Sequence, residues 1–197
     1  MRVISGTAKG RTLKAVPGDS TRPILDRAKV PLFDILRGSL PDSTLLDLFG
    51  GTGQIGIEAL SQGARHCVFI DTNAKAVATI KDNLATTQLT DKAEVRHTDA
   101  FVYLKNCAKS FDILFVAPPQ YKGIWIEAMR IIAERPHLVN PGGQVIVQID
   151  PKEYEALSLE TLKETSQRKY GNTLFVFYAL SEESVYRSCV RYPVRRP

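Results

Sequence analysis

Apolar and polar positions alternate in two different ways along the middle of the chain. Short apolar runs at residues 45–49, 67–71 and 111–116 are typical of strands that are buried on both faces of a sheet. The segments between them carry apolar residues three or four positions apart, as in residues 74–84, which is the spacing of a helix with one buried side. This repeated order of strand and helix predicts an α/β fold with a doubly wound, mostly parallel sheet.

The same pattern completes a sheet of seven strands. Two further parallel strands are predicted at residues 93–98 and 144–149. Residues 165–170 and 173–179 flank a Gly-Asn pair, which is typical of a hairpin turn, so the sheet is expected to finish with an antiparallel hairpin. The predicted helices span residues 54–62, 74–84, 101–107 and 123–134.

Three other segments have weaker patterns. Residues 3–5 and 12–15 are separated by two glycines and are predicted to pair as a small basic hairpin. Residues 28–36 have a helical pattern, in which Pro31 is expected only in the first turn because an interior proline removes a backbone hydrogen bond. Residues 153–162 are predicted to form a short helix.

Length and composition fit one α/β core with basic extensions. The 197 residues are 44% hydrophobic, enough to bury a single core. We expect residues 1–40 to form a basic amino-terminal arm, residues 41–182 the α/β domain, and residues 183–197 a basic, flexible tail.

The composition also argues against several classes of protein. No run of 18 apolar residues is present, so no membrane span is expected, and polar residues follow Met1 too soon for a secretory signal. The three cysteines and three histidines are scattered without the spacing of a metal site, as is usual in a reducing compartment. We therefore expect a cytoplasmic protein without a metal.

The net charge of +5 is unevenly distributed. Residues 1–40 contain eight Lys and Arg against three acids, and residues 187–197 contain four Arg and no acid. Residues 41–186 carry fourteen basic against eighteen acidic side chains. Basic ends on a mildly acidic body indicate a polyanionic partner such as nucleic acid, the alternative being a solvated surface with a disordered tail.

The strongest chemical signal lies in residues 47–53, Asp-Leu-Phe-Gly-Gly-Thr-Gly. A strand that ends in a glycine-rich turn and opens a helix presents backbone N–H groups to a ligand, and glycine lets that ligand approach the main chain. The spacing Gly51-x-Gly53-x-x-Gly56 fits both a dinucleotide such as NAD and S-adenosylmethionine. This motif alone leaves both cofactors open.

Acidic residues lie at the ends of the first three predicted strands, at Asp47, Asp71 and Asp99. Ligands of open α/β sheets bind at the carboxyl ends of the strands, where these acids are expected to meet. Asp71 is suited to accept both hydroxyl hydrogens of a ribose, and Asp99 could accept from an adenine amino group. The alternative role for each acid is to cap a helix or to lie in a solvated loop.

The fourth predicted strand ends in residues 117–121, Ala-Pro-Pro-Gln-Tyr. Two consecutive prolines cannot continue a strand, so they make a rigid turn whose carbonyl groups point outward. Such carbonyls could hold the exocyclic amino group of a base, with Tyr121, Phe101 or Trp125 stacking on its ring. The simpler interpretation is that the prolines only end the strand.

Taken together, the chain resembles class I S-adenosylmethionine-dependent methyltransferases. More closely, it resembles the bacterial family of small-subunit methyltransferases that methylate a guanine at N2 in 16S ribosomal RNA, over residues 1 to about 180. The matching features are residues 2–6 with Gly10-Arg11, Thr21-Arg22-Pro23 with Asp26-Arg27 and Leu32-Phe33, residues 46–53 with Gly56 and Glu58-Ala59-Leu60, Asp71, Asp99, Phe111-Asp112-Ile113, the Pro-Pro turn, and Pro141-Gly142-Gly143.

This resemblance implies a cytoplasmic, monomeric methyltransferase that binds S-adenosylmethionine in residues 41–182 and acts on 16S ribosomal RNA or the small ribosomal subunit. The implied cofactor-binding residues are Asp47, Phe49, Gly50, Gly51, Thr52, Gly53, Asp71, Thr72, Asp99 and Ala100. The implied catalytic residues are Ala117, Pro118, Pro119 and Tyr121. Phosphates of the RNA would be bound by Arg2, Lys9, Arg11, Lys14, Arg22 and Arg27.

One position departs from the family pattern. The fourth motif normally begins with Asp or Asn and closes with Phe or Tyr, whereas this chain has Ala117 and Gln120, with the aromatic residue at Tyr121. The missing side chain would accept a hydrogen from the target amine, and its loss should cost about 2–4 kcal/mol of transition-state stabilisation. The carbonyl group of Pro118 could still accept.

This departure leaves other functions open. The chain could be a cofactor-binding RNA or ribosome-binding module that is catalytically weakened or inactive. It could also be an adenine-N6 nucleic-acid methyltransferase, although no large target-recognition domain is evident in the sequence. An NAD-dependent oxidoreductase would need a catalytic His or Tyr-Lys set, which we do not find.

Overall fold

The computed structural model of the chain describes residues 1–18 and 26–182, without the side chain of Asp26. Its strands are β1 (Thr44–Asp47), β2 (His66–Asp71), β3 (Ala93–His97), β4 (Phe111–Val116), β5 (Val139–Ile149), β6 (Leu162–Tyr170) and β7 (Thr173–Leu180). Its α-helices are α1 (Asp26–Leu36), α2 (Gln54–Ser61), α3 (Ala74–Thr87), α4 (Ala100–Asn106) and α5 (Ile124–Glu134). Arg22 and the tail from residue 183 lie outside the described residues.

All seven strands form one sheet in the order β3-β2-β1-β4-β5-β7-β6. The first five strands in this order are parallel, whereas β7 is antiparallel to both β5 and β6. The predicted doubly wound sheet with a carboxyl-terminal antiparallel hairpin is confirmed. The strand order reverses between β1 and β4, so the loops after these two strands separate and leave a crevice at their carboxyl ends.

The alternation of side chains in the strands divides the core between the two faces of the sheet. In β2, Phe69 packs on the face that carries α1, α2 and α3, while Val68 and Ile70 pack on the opposite face with α4 and α5. All three side chains are completely buried. Burial on both faces explains why the central strands are almost continuously apolar in sequence.

The amino-terminal segment lies against the first of these faces. Arg2 and Thr12 form one antiparallel bridge, and the N–H of Val3 donates to the carbonyl of Arg11 at 3.0 Å, so the predicted small hairpin is present in a short form. Val3, Ala8 and Leu13 contribute buried side chains to the same cluster as Phe69. The segment that carries these exposed basic residues is therefore packed against the core through its apolar side chains.

A buried ion pair ties the amino-terminal segment to two helices. The side chains of Lys29 in α1 and Glu58 in α2 are both 0% exposed, and their charged groups are 3.2 Å apart. The carboxylate of Glu58 accepts hydrogen bonds from the N–H groups of Ile4 and Ser5, and the ammonium group of Lys29 donates to the carbonyl of Arg2. Pairing and backbone hydrogen bonds together satisfy charges that would otherwise be costly to bury.

Two predictions about helices were wrong. The helix α1 begins at Asp26, so Pro31 lies in its second turn, where it cannot donate the usual backbone hydrogen bond. Residues 153–162 contain no α-helix, since only a short 3₁₀ turn (Pro151–Glu153) precedes β6. Leu157 and Leu159 both pack against the core, and this spacing of two is that of an extended chain.

No helix within the described ranges combines the length and the apolar character that crossing a membrane would need.

Candidate functional site

A cavity of about 710 Å³ opens at the carboxyl ends of the parallel strands. The glycine turn after β1 forms one side of it, and the Pro-Pro turn after β4 forms another. The loops after β2 and β3 and the hairpin turn between β6 and β7 complete the wall. A cavity thus lies in the crevice that the topology predicts, and its size suits a nucleoside-sized ligand.

The glycine turn is built by backbone hydrogen bonds and by left-handed conformations. The N–H of Gly50 donates to the carbonyl of Ile70 at 2.8 Å, which joins the turn to the end of β2. Gly51 and Gly53 have φ angles of 54° and 77°, which side chains with a β-carbon rarely adopt. Gly51 lines the cavity, whereas Gly53 lies behind it as the residue that precedes α2.

Asp71 connects two loops at the rim of the cavity. One oxygen of its carboxylate accepts from the N–H of Gly51 and the other from the N–H of Asn73, both at 2.8 Å. These bonds orient the carboxylate, and each oxygen keeps a second lone pair. The neighbouring Thr72 also lines the cavity.

Asp99 caps α4. Its Oδ1 accepts hydrogen bonds from the N–H groups of Phe101 and Val102, each at 2.9 Å. The capping role that the sequence left open is thus present in the structure. Asp99 and its neighbours Ala100 and Phe101 also line the cavity, so capping and ligand contact are compatible.

Asp47 lies at the bottom of the cavity and is only 2% exposed. Burial raises the pKa of Asp47 to about 7, opposed by the hydrogen bond from the N–H of Gly56 and assisted by the negative charge of Asp71. A carboxyl group with this pKa changes charge near neutral pH. A cationic ligand bound above it would favour its ionised form.

The Pro-Pro turn contributes Ala117, Pro118, Pro119 and Gln120 to the cavity wall. Tyr121 lies elsewhere, because it borders a second, smaller pocket next to the cavity. Of the other aromatic residues considered for stacking, Phe101 lines the cavity, whereas Trp125 is buried in the core with 1% exposure and is unavailable to a ligand.

The carboxylate of Asp112 does not replace the acid that is missing at Ala117. Asp112 is near the start of β4, where it accepts from the N–H and hydroxyl groups of Thr44 and from the amide of Asn140. Burial alone would favour its neutral form, but these hydrogen bonds hold the pKa of Asp112 below its usual value. Asp112 is thus a structural residue at the opposite end of the strand.

Gln148 is a cavity residue that the sequence interpretation missed. Val116 of β4 pairs with Val147 of β5, so Ala117 and Gln148 follow side by side at the ends of adjacent strands. Ala117 packs against the same cluster as Ile146, and alternation along β5 directs Gln148 to that face as well. A lone polar residue within the apolar stretch 145–149 was the signal available in the sequence.

Other cavity residues were also absent from the predicted site. Gln54 and Ile55 come from the start of α2, and Asn172 and Thr173 from the hairpin turn. The turn approaches the crevice only through the antiparallel end of the sheet, so its proximity could not be deduced from local sequence. Lys122 lines the wall beside the Pro-Pro turn.

The predicted RNA-binding residues are distributed over the surface. Arg2, Lys9, Arg11, Lys14 and Arg27 are all exposed, and Lys14 pairs with Asp82 at 2.8 Å. Of these five, Arg27 lines the cavity. Among the described residues, no group of three or more His, Cys, Asp or Glu side chains is arranged to hold a metal ion.

Comparison with known proteins places the chain in a family. Residues 1–179 match the family model described as Conserved hypothetical protein 95, Cons_hypoth95. A Bacillus subtilis protein named "Putative rRNA methyltransferase YlbH" is 38% identical over 181 residues, which cover 90% of this chain and 98% of the relative. "Ribosomal RNA small subunit methyltransferase D" of Haemophilus influenzae is 30% identical over 182 residues, covering 87% and 94% of the two chains.

A solved structure has the same fold. It is described as "Putative methyltransferase yhhF from Escherichia coli" and superposes with a TM-score of 0.79 at 27% identity, covering 90% of this chain and 96% of its own. The fold is thus that of class I methyltransferases, as predicted. The chain belongs to the Cons_hypoth95 family, and the resemblance inferred from its sequence is confirmed at this level.

Proposed function

We propose that the protein transfers a methyl group from S-adenosylmethionine to the exocyclic N2 of a guanine in 16S ribosomal RNA. The observation that carries this proposal is that the glycine turn and the Pro-Pro turn line the same cavity, in a chain whose relatives are named ribosomal RNA methyltransferases. A donor bound at the first turn and an acceptor bound at the second would lie in the same cavity. Bringing two reactants together in this way supplies much of the catalysis of such a transfer.

The residues of the glycine turn fit the donor. Packing requires glycine at position 50, because a β-carbon there would lie 2.8 Å from the side chain of Ile80. Gly50 and Gly51 both line the cavity and have no side chain to cover their main chain. In this arrangement the donor lies against the main chain of Gly50 and Gly51, whose N–H groups donate to Ile70 and Asp71. Asp71 binds the ribose, and Asp99 with Phe101 borders the adenine. The sulfonium of the donor supplies an activated methyl group whose departure needs no acid.

Acceptor binding is assigned to the Pro-Pro turn and to Gln148. The carbonyl of Pro118 and the amide oxygen of Gln148 are the groups that would accept hydrogens from the guanine amine. Accepting these hydrogens keeps the nitrogen lone pair directed at the methyl group. Gln148 would therefore do part of the work that an Asp or Asn does at the position of Ala117.

RNA binding is assigned to the exposed cations of the amino-terminal segment and α1, namely Arg2, Lys9, Arg11, Lys14 and Arg27, together with Arg22. Such contacts to phosphates position a substrate without reading its sequence. The target base would be splayed out of its helix to enter the cavity.

The test is transfer of labelled methyl to small ribosomal subunits that lack this modification, followed by mass spectrometry of the nucleotide. We expect one labelled 2-methylguanine and loss of transfer when Asp71 is replaced by Ala. Label on adenine N6 would indicate the adenine-specific alternative.

A second candidate is favoured by Ala117, which removes an acceptor from the site. In that case the protein would be a cofactor-binding RNA or ribosome-binding module. Binding of both S-adenosylmethionine and the ribosomal subunit without methyl transfer would support the module and contradict the proposed reaction.

A further inference from the structure

A second pocket of about 300 Å³ adjoins the main cavity. It is bordered by Tyr121, by residues 150–152 after β5, and by Lys169 and the hairpin turn. Asn172 lines both spaces, and Gln120 and Lys122 line the main cavity on either side of Tyr121. The two spaces are thus neighbouring compartments that share one wall.

Tyr121 is held as a fixed aromatic surface at this pocket. Its φ angle is 61°, a conformation that is uncommon for a residue with a β-carbon, and the residue is 64% exposed. The backbone N–H donates to the carboxylate of Glu153, and the hydroxyl donates to Asp150 at 2.8 Å. Two carboxylates from one turn therefore anchor both ends of an exposed residue, and uncommon backbone held in this way is frequent at binding sites.

The pocket has a cationic border. Lys152 and Lys169 are exposed and line it, and neither forms an ion pair with another residue in the described part of the chain. Arg27 stands where the hairpin turn meets the main cavity, since a β-carbon at Gly171 would lie 3.0 Å from its guanidinium nitrogen. Asp150, which also lines the pocket, and the nearby Glu153 already accept hydrogen bonds from Tyr121.

We propose that this second pocket binds the nucleotide next to the methylated guanine, with its base on the ring of Tyr121 and its phosphates between Lys152, Lys169 and Arg27. This inference rests on the proposed function, because it takes the main cavity as the place of the target base. An exposed aromatic face with flanking cations is the combination that binds single-stranded RNA. The phosphate that links the two nucleotides would lie near Arg27 and Asn172, at the boundary between the two pockets.

The probe is a single-stranded RNA nonamer with a central guanine and 2-aminopurine on its 5′ or its 3′ side, added to the full-length protein. We expect one of the two probes to lose fluorescence on binding, because 2-aminopurine is quenched when it stacks on an aromatic ring. Tyr121→Phe should retain the quenching, while Tyr121→Leu should abolish it and weaken binding about tenfold. An RNA with an abasic site at that position should bind the wild type and Tyr121→Leu equally.

The lysines are tested with a matched pair of variants. Lys152→Gln/Lys169→Gln should weaken RNA binding severalfold, whereas Lys105→Gln/Lys163→Gln, which removes the same charge from exposed positions elsewhere, should have little effect. Unchanged quenching in Tyr121→Leu, or equal effects of the two lysine pairs, would overturn the inference. So would failure of the nonamer to bind. Methyl transfer to ribosomal subunits is measured in parallel. If transfer occurs while the RNA-binding results are negative, the inference about the second pocket fails and the proposed function stands.

Discussion

At the scale of single residues, Asp47 combines burial with an ionisable group. Its folded-state pKa of about 7 exceeds the ordinary value of 3.8 because burial disfavours the charged form. Between these pH values the folded protein keeps a proton that the unfolded chain has lost. The contribution of this group to stability therefore decreases as the pH rises toward 7 and then remains constant.

Replacement of Asp47 by Asn tests this behaviour. The free energy of unfolding of the wild type should fall by about 2–3 kcal/mol more than that of the variant between pH 5 and pH 8. Urea unfolding at both pH values measures the difference. Parallel pH profiles for the two proteins would show that Asp47 does not titrate with a raised pKa.

Ala117 and Gln148 form the second residue-scale feature. If Gln148 accepts a hydrogen from the target amine, Gln148→Leu should lower kcat about tenfold or more. Adding Ala117→Asp to this variant should restore most of the lost activity. Single-turnover methyl transfer with saturating donor measures the effect. Gln144→Leu is the matched control, since Gln144 lies on the same face of β5 but in the middle of the strand, away from the cavity lining. If Gln148→Leu lowers kcat equally in proteins with Ala117 and with Asp at position 117, the shared role is contradicted.

At the scale of elements, the contact of α2 with β2 depends on Gly56. A β-carbon there would lie 2.2 Å from Phe69 and 2.6 Å from Cys67, so the helix rests directly on the strand. This close contact places the start of α2 at the cavity. The third glycine of the motif therefore has a packing role that is separate from ligand binding.

Gly56→Ala should destabilise the protein by about 1–3 kcal/mol, because overpacking outweighs the better helix propensity of alanine. Gly38→Ala is the control, since a β-carbon at Gly38 meets no atom within 4 Å. Denaturant unfolding measures both. Combining Gly56→Ala with Phe69→Leu should recover part of the loss, and a stability unchanged by Gly56→Ala alone would contradict the packing argument.

At the scale of the whole molecule, the basic surface of the amino-terminal segment is fixed to the α/β core. Val3, Ala8 and Leu13 are buried, and Glu58 holds two backbone N–H groups of the segment. Its cations therefore have a set position relative to the cavity. A rigid array of cations should bind a polyanion with a strong dependence on salt.

We expect the logarithm of the RNA association constant to fall by about 0.7–0.9 per contacted phosphate for each tenfold rise in salt concentration. Arg2→Gln/Arg11→Gln should reduce this slope and leave the affinity for S-adenosylmethionine unchanged. Filter binding over a range of salt concentrations gives the slope. A flat salt response of the wild type would contradict the role assigned to the basic surface.

The sequence alone determined the parts of this protein that depend on local rules. The period of apolar residues predicted the seven strands, and the Gly171-Asn172 pair predicted the last hairpin, because these patterns reflect burial and turn geometry within a few residues. The positions of Asp47, Asp71, Asp99 and the Pro-Pro turn around one cavity followed from the rule for open α/β sheets.

Tertiary structure decided what depends on residues far apart in the chain. The buried pair of Lys29 and Glu58, the placement of Gln148 beside Ala117, and the separation of Tyr121 from the main cavity all arise where distant segments meet. The local sequence pattern predicts which face of a strand or helix a side chain occupies. It does not predict which residue of a distant segment packs against that side chain. For this reason the glycine turn and the acids around it could be predicted from motifs, while the residues beside the Pro-Pro turn required the assembled sheet.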